Sequence, residues 1–285
     1  MNKIEVKQLT RRYGETLALD NLSLTLDEDK IYGLLGRNGA GKTTLLNLIT
    51  AKTYPTAGSI TIDGAPVWEN DDSLGKVFYM TEENLYPPSL RVREVFQWTG
   101  RFYPAFDLHY AEQLAKRFEL NTAKKVKELS TGYGSIFKAV LTLSSGAGIM
   151  LFDEPVLGMD ANHRELLYKE ILANFIQKPK KIILSTHLID EIADILEEVM
   201  IINKGQLMLK QPVEDLLAST HTVSGEASKV DQYTAGQTCV GEQRLQNFKS
   251  VIVLSSRVER ELAKSLDLEL GQAELQRLFI GLTNS

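Results

Sequence analysis

One stretch limits the choice of fold more than any other. From Lys30 to Thr50 the chain reads as an apolar strand, Ile31 to Leu35, then GRNGAGKTT from Gly36 to Thr44, then the helix-like LLNLIT. Gly36, Gly39 and Gly41 let the backbone turn with positive φ and approach an anion closely, which a Cβ would prevent. A strand, a glycine-rich loop and a helix in that order form a phosphate cradle. The loop amides and the positive end of the helix dipole face the anion, Lys42 adds a point charge, and Thr43 offers a hydroxyl to Mg²⁺. This pattern is a Walker A motif, with the strand before it and the helix after it supplying the context that confirms it.

The chain has 285 residues, enough for one sizeable α/β domain and a smaller appendage. A charged share of 24% and a net charge of −5 argue against wholesale nucleic-acid binding. The single cysteine, Cys239, excludes an intrachain disulfide and is expected to be a buried, inert thiol. No apolar run approaches the eighteen or so residues of a membrane span, so work at a membrane requires another polypeptide to cross it.

In chain order, residues 3–9 alternate as an edge strand would, RRYG at 11–14 follows as a turn, and Leu17 to Leu26 returns as a second strand. Tyr13, ahead of the cradle, either stacks on a base or is a half-buried turn tyrosine. KVFYMTEENLYPPSL passes from strand to loop, and Val92 to about Phe118 has helical spacing broken at Pro104. Ser130 precedes a turn-like TGYG and an apolar run, so it caps a helix whose amide end favours an anion.

Ile149 to Phe152 is an apolar strand ending in Asp153-Glu154-Pro155, a Walker B pattern. Adjacent carboxylates at a strand end divide tasks, one for a metal's water shell and one for a reacting water. GMDANHRELLYKEIL is a helix capped by Asp160 or Asn162. Lys181 to Leu184 is another buried strand, followed by Ser185, Thr186 and His187. His109, His163 and His221 lie in polar surroundings and are expected on the surface. His187 stands apart because it ends a strand. Residues 219–247 are rich in Ser, Thr, Gly and Gln, and a strand (SVIVLSS), a helix at Val258 to Leu266 and a last amphipathic helix follow.

Five separated motifs in one order resemble the ATP-binding subunit of an ABC transporter, over residues 1 to about 215: GRNGAGKTT, LSTGY at 129–133 as the signature, IMLFDEP, GMD at 158–160 as the D-loop, and STH ending at His187. The resemblance implies a phosphate-loop α/β fold with a mixed sheet core, an antiparallel β subdomain and a helical subdomain at about 82–140. The cassette would occupy 1–218 and a small α+β appendage 219–285. It also implies ATP contacts by Tyr13, Gly36, Asn38, Gly39, Ala40, Gly41, Lys42, Thr43 and Thr44, Mg²⁺ held by Thr43, Asp153 and Glu82, and catalysis by Lys42, Glu154 and His187. Ser130 and Gly132 would touch the nucleotide of an opposing second ATPase subunit. A separate membrane permease at the cytoplasmic face is the implied partner, with no nucleic acid.

Two positions depart from the family pattern. A glutamine usually follows a YVP-like strand there, whereas this chain has YMTEE, with Glu82 at that place and register also allowing Thr81 or Glu83. The signature carries Thr131 and Tyr133 in place of Gly and Gln. The C-terminal tract AELQRLFIGLT resembles tails of bacterial exporters of drugs, peptides or lipophilic compounds. The competing reading, a soluble ABC ATPase acting on ribosomes or DNA, calls for a second cassette or a long coiled coil, and neither is in the chain.

Overall fold

The computed structural model describes residues 2–284. The first segment carries β1 (Ile4–Tyr13), β2 (Thr16–Leu26), β3 (Ile31–Leu35), α1 (Lys42–Ile49), β4 (Ala57–Ile62), β5 (Ala65–Pro66), α2 (Asp71–Leu74) and β6 (Val77–Met80). Helices follow: α3 (Val92–Phe102), α4 (Leu108–Arg117) and α5 (Thr131–Ser144). The chain then returns to the sheet through β7 (Ile149–Asp153), α6 (Ala161–Gln177), β8 (Lys181–Ser185), α7 (Ile189–Ile192), β9 (Glu198–Asn203), β10 (Gln206–Pro212) and α8 (Val213–Ala218). Last come β11 (His221–Glu226), α9 (Ala227–Tyr233), β12 (Cys239–Leu245), β13 (Phe248–Val253), α10 (Arg260–Ser265), β14 (Glu269–Gly271) and α11 (Leu275–Thr283).

The central sheet has the order β10-β9-β3-β8-β7-β6. Its pairs are parallel except β10 on β9, so the sheet is mixed, as the sequence predicts. Its parallel strands are buried on both faces, which is why they read as continuous apolar runs. Alternate residues serve opposite cores. Tyr32, Leu34, Ile149, Leu151 and Ile183 join α1 and the antiparallel sheet β2-β1-β4-β5 on one side. Ile31, Leu35, Met150, Phe152, Ile182 and Leu184 pack against the helical segment on the other. A third sheet, β12-β13-β11-β14, is antiparallel and encloses its own cluster around Val223, Val230, Tyr233 and Val251. The last helix, α11, leaves that cluster: Leu275, Leu278 and Phe279 join the main core with Ile189 and Ile192 of α7.

Four expectations are corrected. β1 is an interior strand, because β4 pairs with its far side. The turn expected at 11–14 starts later, since pairing of Tyr13 with Thr16 keeps Arg11–Tyr13 in the strand. His221 is buried, its Nδ1 bonded to the Ser255 carbonyl (3.0 Å) and its Nε2 to the Tyr233 hydroxyl (3.3 Å), so its polarity is satisfied inside. Cys239 is half-buried on strand β12 rather than enclosed, and its thiol is pushed up chiefly by burial.

Candidate functional site

The parallel strands β3, β6, β7 and β8 deliver the motifs at their carboxyl ends, the place where open α/β sheets gather ligands. From β3 the chain enters the phosphate loop. A Cβ on Gly36 would lie 2.7 Å from the Ile202 carbonyl oxygen, and one on Gly41, where φ is +109°, would lie 2.6 Å from that of Ala18. Both positions exclude side chains, and Gly41 opens α1 without any side chain capping its amides. Those amides are therefore left for an anion. Asn38, Gly39 and Thr43 are exposed, Thr44 is half-buried, and Ala40 is buried.

The Lys42 ammonium is buried in this loop and donates to the carbonyls of Gly36 (2.7 Å) and Arg37 (3.4 Å). Burial pushes its pKa down, opposed by the carboxylates of Glu154, Asp153 and Glu82 in that order. The chain thus brings four of the sequence-predicted residues into one electrostatic neighbourhood. Desolvating a cation beside uncapped helix amides strengthens its pull on a phosphate.

Asp153 ends β7 and is 1% exposed. Its Oδ2 accepts from the Tyr79 hydroxyl (3.1 Å), whereas its buried Oδ1 has no hydrogen-bond partner among the described residues. An orphaned anionic oxygen is costly in an interior, and a cation or its water shell would satisfy it. Among the described residues no group of three or more His, Cys, Asp or Glu forms a metal cage. The arrangement suits Mg²⁺, which takes one or two carboxylates and completes its shell with phosphate oxygens and water.

Glu154 turns the chain with φ +46°, its N–H bonded to the Ser185 carbonyl (2.8 Å) across β8. Its Oε2 accepts from His187 Nδ1 (2.9 Å) and from the Thr186 hydroxyl (3.3 Å). A carboxylate cannot donate, so Nδ1 carries the proton in this pair. The two adjacent acids are therefore held apart in role: Asp153 by β6, Glu154 by the end of β8.

Beyond β6, Glu82 is exposed at the start of a loop. Lys138 on α5 donates to the carbonyls of both Thr81 and Glu82, each at 2.7 Å. Its pKa is pushed down by burial and back up by Glu82. Ser130 caps α5, accepting from the Tyr133 amide (3.4 Å). Gly132 is pressed on the 157–158 turn, where a Cβ would lie 2.3 Å from the Gly158 carbonyl oxygen, and Ser135 bonds the Leu157 carbonyl (2.8 Å). Gly132 is thus fixed to the GMD turn, Ser130 lies two residues before it at the helix cap, and neither is among the groups acting on Lys42. Tyr133 meets His163 edge-on at 5.9 Å, and His163 stacks on Phe118. Asp160 caps α6 and also binds His163 Nδ1 (2.7 Å), and its carboxyl is pulled below the usual range first by the His163 backbone N–H and then by that ring. Tyr13 is 44% exposed, with the Arg11 guanidinium over its ring at 4.3 Å.

Three contributors escape the sequence reading, and a fourth, Thr186, enters it only as part of STH. Tyr79 holds Asp153 and lies under the Lys52 ammonium at 5.1 Å, Thr186 supports Glu154, Lys138 grips the Glu82 loop, and Asn284 at the end of α11 accepts from the Arg37 guanidinium (2.9 Å). Tyr79 was within reach of strand alternation, as the one polar-tipped residue of VFYM. The others depend on pairings between distant segments.

The ABC transporter family profile matches residues 19–157. The chain is 30% identical over 223 residues to the uncharacterised ABC transporter ATP-binding protein MJ1023 of Methanocaldococcus jannaschii, covering 75% of this chain and 79% of that protein. It is 29% identical over 213 residues to the ABC transporter ATP-binding protein YtrB of Bacillus subtilis, covering 75% and 73%, and 29% identical over 223 residues to the Nod factor export ATP-binding protein I of Burkholderia lata, covering 76% and 73%. A solved ATP-binding subunit of an ABC transporter shares the fold with a TM-score of 0.68 at 20% identity, over 93% of this chain and 99% of that one. The ATP-binding cassette MJ0796, solved as a dimer bound to ADP and Pi, gives 0.65 at 23% identity, over 74% and 98%. The chain belongs to the ATP-binding subunits of ABC transporters, a family of ATPases.

Proposed function

We propose that residues 1–218 form a cassette, with a helical subdomain at about 82–140 and an accessory unit at 219–285. Two cassettes close head to tail on ATP, and their hydrolysis drives export of a drug, peptide or lipophilic compound through a separate permease at the cytoplasmic face of the membrane. The observation that carries the catalytic part is the bond between Glu154 and His187 beside the buried Lys42. In this reading Tyr13 stacks on adenine, with Arg11 on one face of its ring. The Gly36, Asn38, Gly39, Ala40, Gly41 and Thr44 segment wraps the phosphates and Lys42 neutralises them. Thr43, Asp153 and Glu82 would hold Mg²⁺, which when bound would offset charge on the phosphate oxygens. Glu154 accepts the proton of the attacking water, while His187 fixes the carboxylate and reaches the γ-phosphate. Ser130 and Gly132 complete the opposing protomer's site, which agrees with the dimeric cassette among the structural neighbours.

Support for a permease comes from a groove of about 490 Å³ between β6 and α3, where Leu85, Trp98 and Phe102 are exposed and Phe102 is 73% accessible. Such a patch beside the nucleotide site is suited to an apolar partner segment. Among the described residues no helix is long and apolar enough to cross a membrane. Export is supported by the relative named for Nod factor export. Glu154→Gln tests the site: turnover is expected to fall about 10²-fold or more, with ATP still bound and a dimer accumulating in sedimentation. Turnover within a few-fold of the parent would overturn it. Isolation from membranes tests the partner; ribosomes or DNA in place of a multi-span protein would reverse that part.

A further inference from the structure

The loop after β6 is gripped twice by one helix. β6 is an edge strand whose last ladder pair is Met80 with Phe152, so the carbonyls of Thr81 and Glu82 leave the sheet without strand partners. Both turn to the Lys138 ammonium at 2.7 Å. Farther along, Tyr86 meets Phe137 edge-on at 5.1 Å. Adjacent residues of α5 thus hold the two ends of the 81–86 loop, and the Glu82 carboxylate between them is exposed, with no ion pair among the described residues. Lys138 lies about two turns along α5 from its cap Ser130.

Charge makes the second half of the argument. Three carboxylates, those of Glu154, Asp153 and Glu82, act on the single ammonium of Lys42, and a triphosphate must enter the same space with further negative charge. Glu82 is the one of the three whose carboxylate has no hydrogen-bonded partner among the described residues. Lys138 is the cation at its backbone. The Glu82 carboxylate acts on this ammonium through space, without an ion pair between the two among the described residues.

We propose that Lys138 is a positioning residue for ATP hydrolysis: it fixes the 81–86 loop to the helix that begins at Ser130, and it supplies the positive charge that lets Glu82 stand beside a triphosphate. This rests on the assignment of Glu82 to the nucleotide site made above. Under that assignment Glu82 serves its own protomer's nucleotide while Ser130 serves the opposing one. Lys138 therefore joins the two sites through a single side chain.

The test compares Lys138→Met, Glu82→Gln, the double variant and Lys138→Arg, using full-length protein. Amide hydrogen exchange over 81–86 in nucleotide-free protein reads the tether, and kcat and KM for ATP with Mg²⁺ read the charge. Lys138→Met is expected to speed exchange at 81–86 by about tenfold or more, as loss of two charge-assisted bonds implies. It should also raise KM and lower kcat by about tenfold. Adding Glu82→Gln should bring KM back down at least threefold while exchange stays fast, and Lys138→Arg should keep most of both. A purely structural lysine would give fast exchange with no recovery of KM in the double variant, and that result overturns the proposal. So does unchanged exchange, or kcat within twofold of the parent, in Lys138→Met. Failure of this inference is separable from failure of the site itself: Glu154→Gln that abolishes turnover, beside an inert Lys138→Met, refutes the Lys138 role alone.

Discussion

Asp153→Asn offers a sharp test because the structure sets stability against activity at that residue. The carboxylate is 1% exposed, with Oδ1 unpartnered and Oδ2 served by one hydroxyl, that of Tyr79. A buried acceptor without a donor costs about 1–3 kcal/mol. An amide removes the charge, keeps an acceptor for Tyr79, and brings donors toward Ser185, the residue opposite in β8 whose buried hydroxyl also lacks a partner. Against this stands lost attraction for Lys42 and Lys52. Each of those has a stronger carboxylate in attendance, Glu154 and Glu83 respectively, so the loss is the smaller quantity. The net expectation is a gain of about 1 kcal/mol, a rise of about 2–4 °C in the unfolding midpoint for a domain of this size. Turnover should fall by about 10² or more, since the anionic metal ligand is gone. Thermal unfolding in chelator without nucleotide, followed by steady-state ATPase with Mg²⁺, measures both. A midpoint below the parent's, or turnover within threefold of it, refutes the reasoning.

Two further outcomes follow from the same geometry. Lys42→Ala should weaken ATP binding itself, by about tenfold or more in equilibrium titration with labelled nucleotide, because it removes the one ammonium inside the cradle; unchanged affinity would remove the case for a phosphate site. Burial lowers the pKa of Lys180 to about 8, with its Nζ on the Asn174 side-chain oxygen (2.6 Å). The unfolded chain then holds the extra proton between about pH 8 and the ordinary value of 10.5, so this residue's contribution to stability rises with pH across that window. Denaturant unfolding of the parent and Lys180→Met at pH 7 and pH 10 should show the difference between them moving in the parent's favour by about 2–3 kcal/mol; a constant difference would contradict it.

The phosphate loop, the two acidic and histidine strand ends and the capped helices at Ser130 and Asp160 were legible in sequence because each is a local pattern. An apolar run buried on both faces, a glycine that nothing larger can replace, or a side chain capping its own helix needs no distant partner to be recognised. β1 was misplaced because its second neighbour, β4, lies about fifty residues on, and alternation alone does not say whether a strand has one neighbour or two. His221 went to the surface on its polar neighbours in sequence, while the Tyr233 hydroxyl and Ser255 carbonyl that satisfy it come from other elements. Lys138 met Thr81 from 57 positions away, and nothing in the helix around it marks an inward-pointing cation.

The bond between Arg37 and Asn284 joins positions 247 apart, one in the phosphate loop and one at the end of α11. Order of synthesis therefore runs against order of assembly here. The nucleotide cradle leaves the ribosome early, whereas the end of α11 that meets Arg37 is translated only after every sheet. A nascent polypeptide halted before that stretch would display the loop with Arg37 lacking this bond.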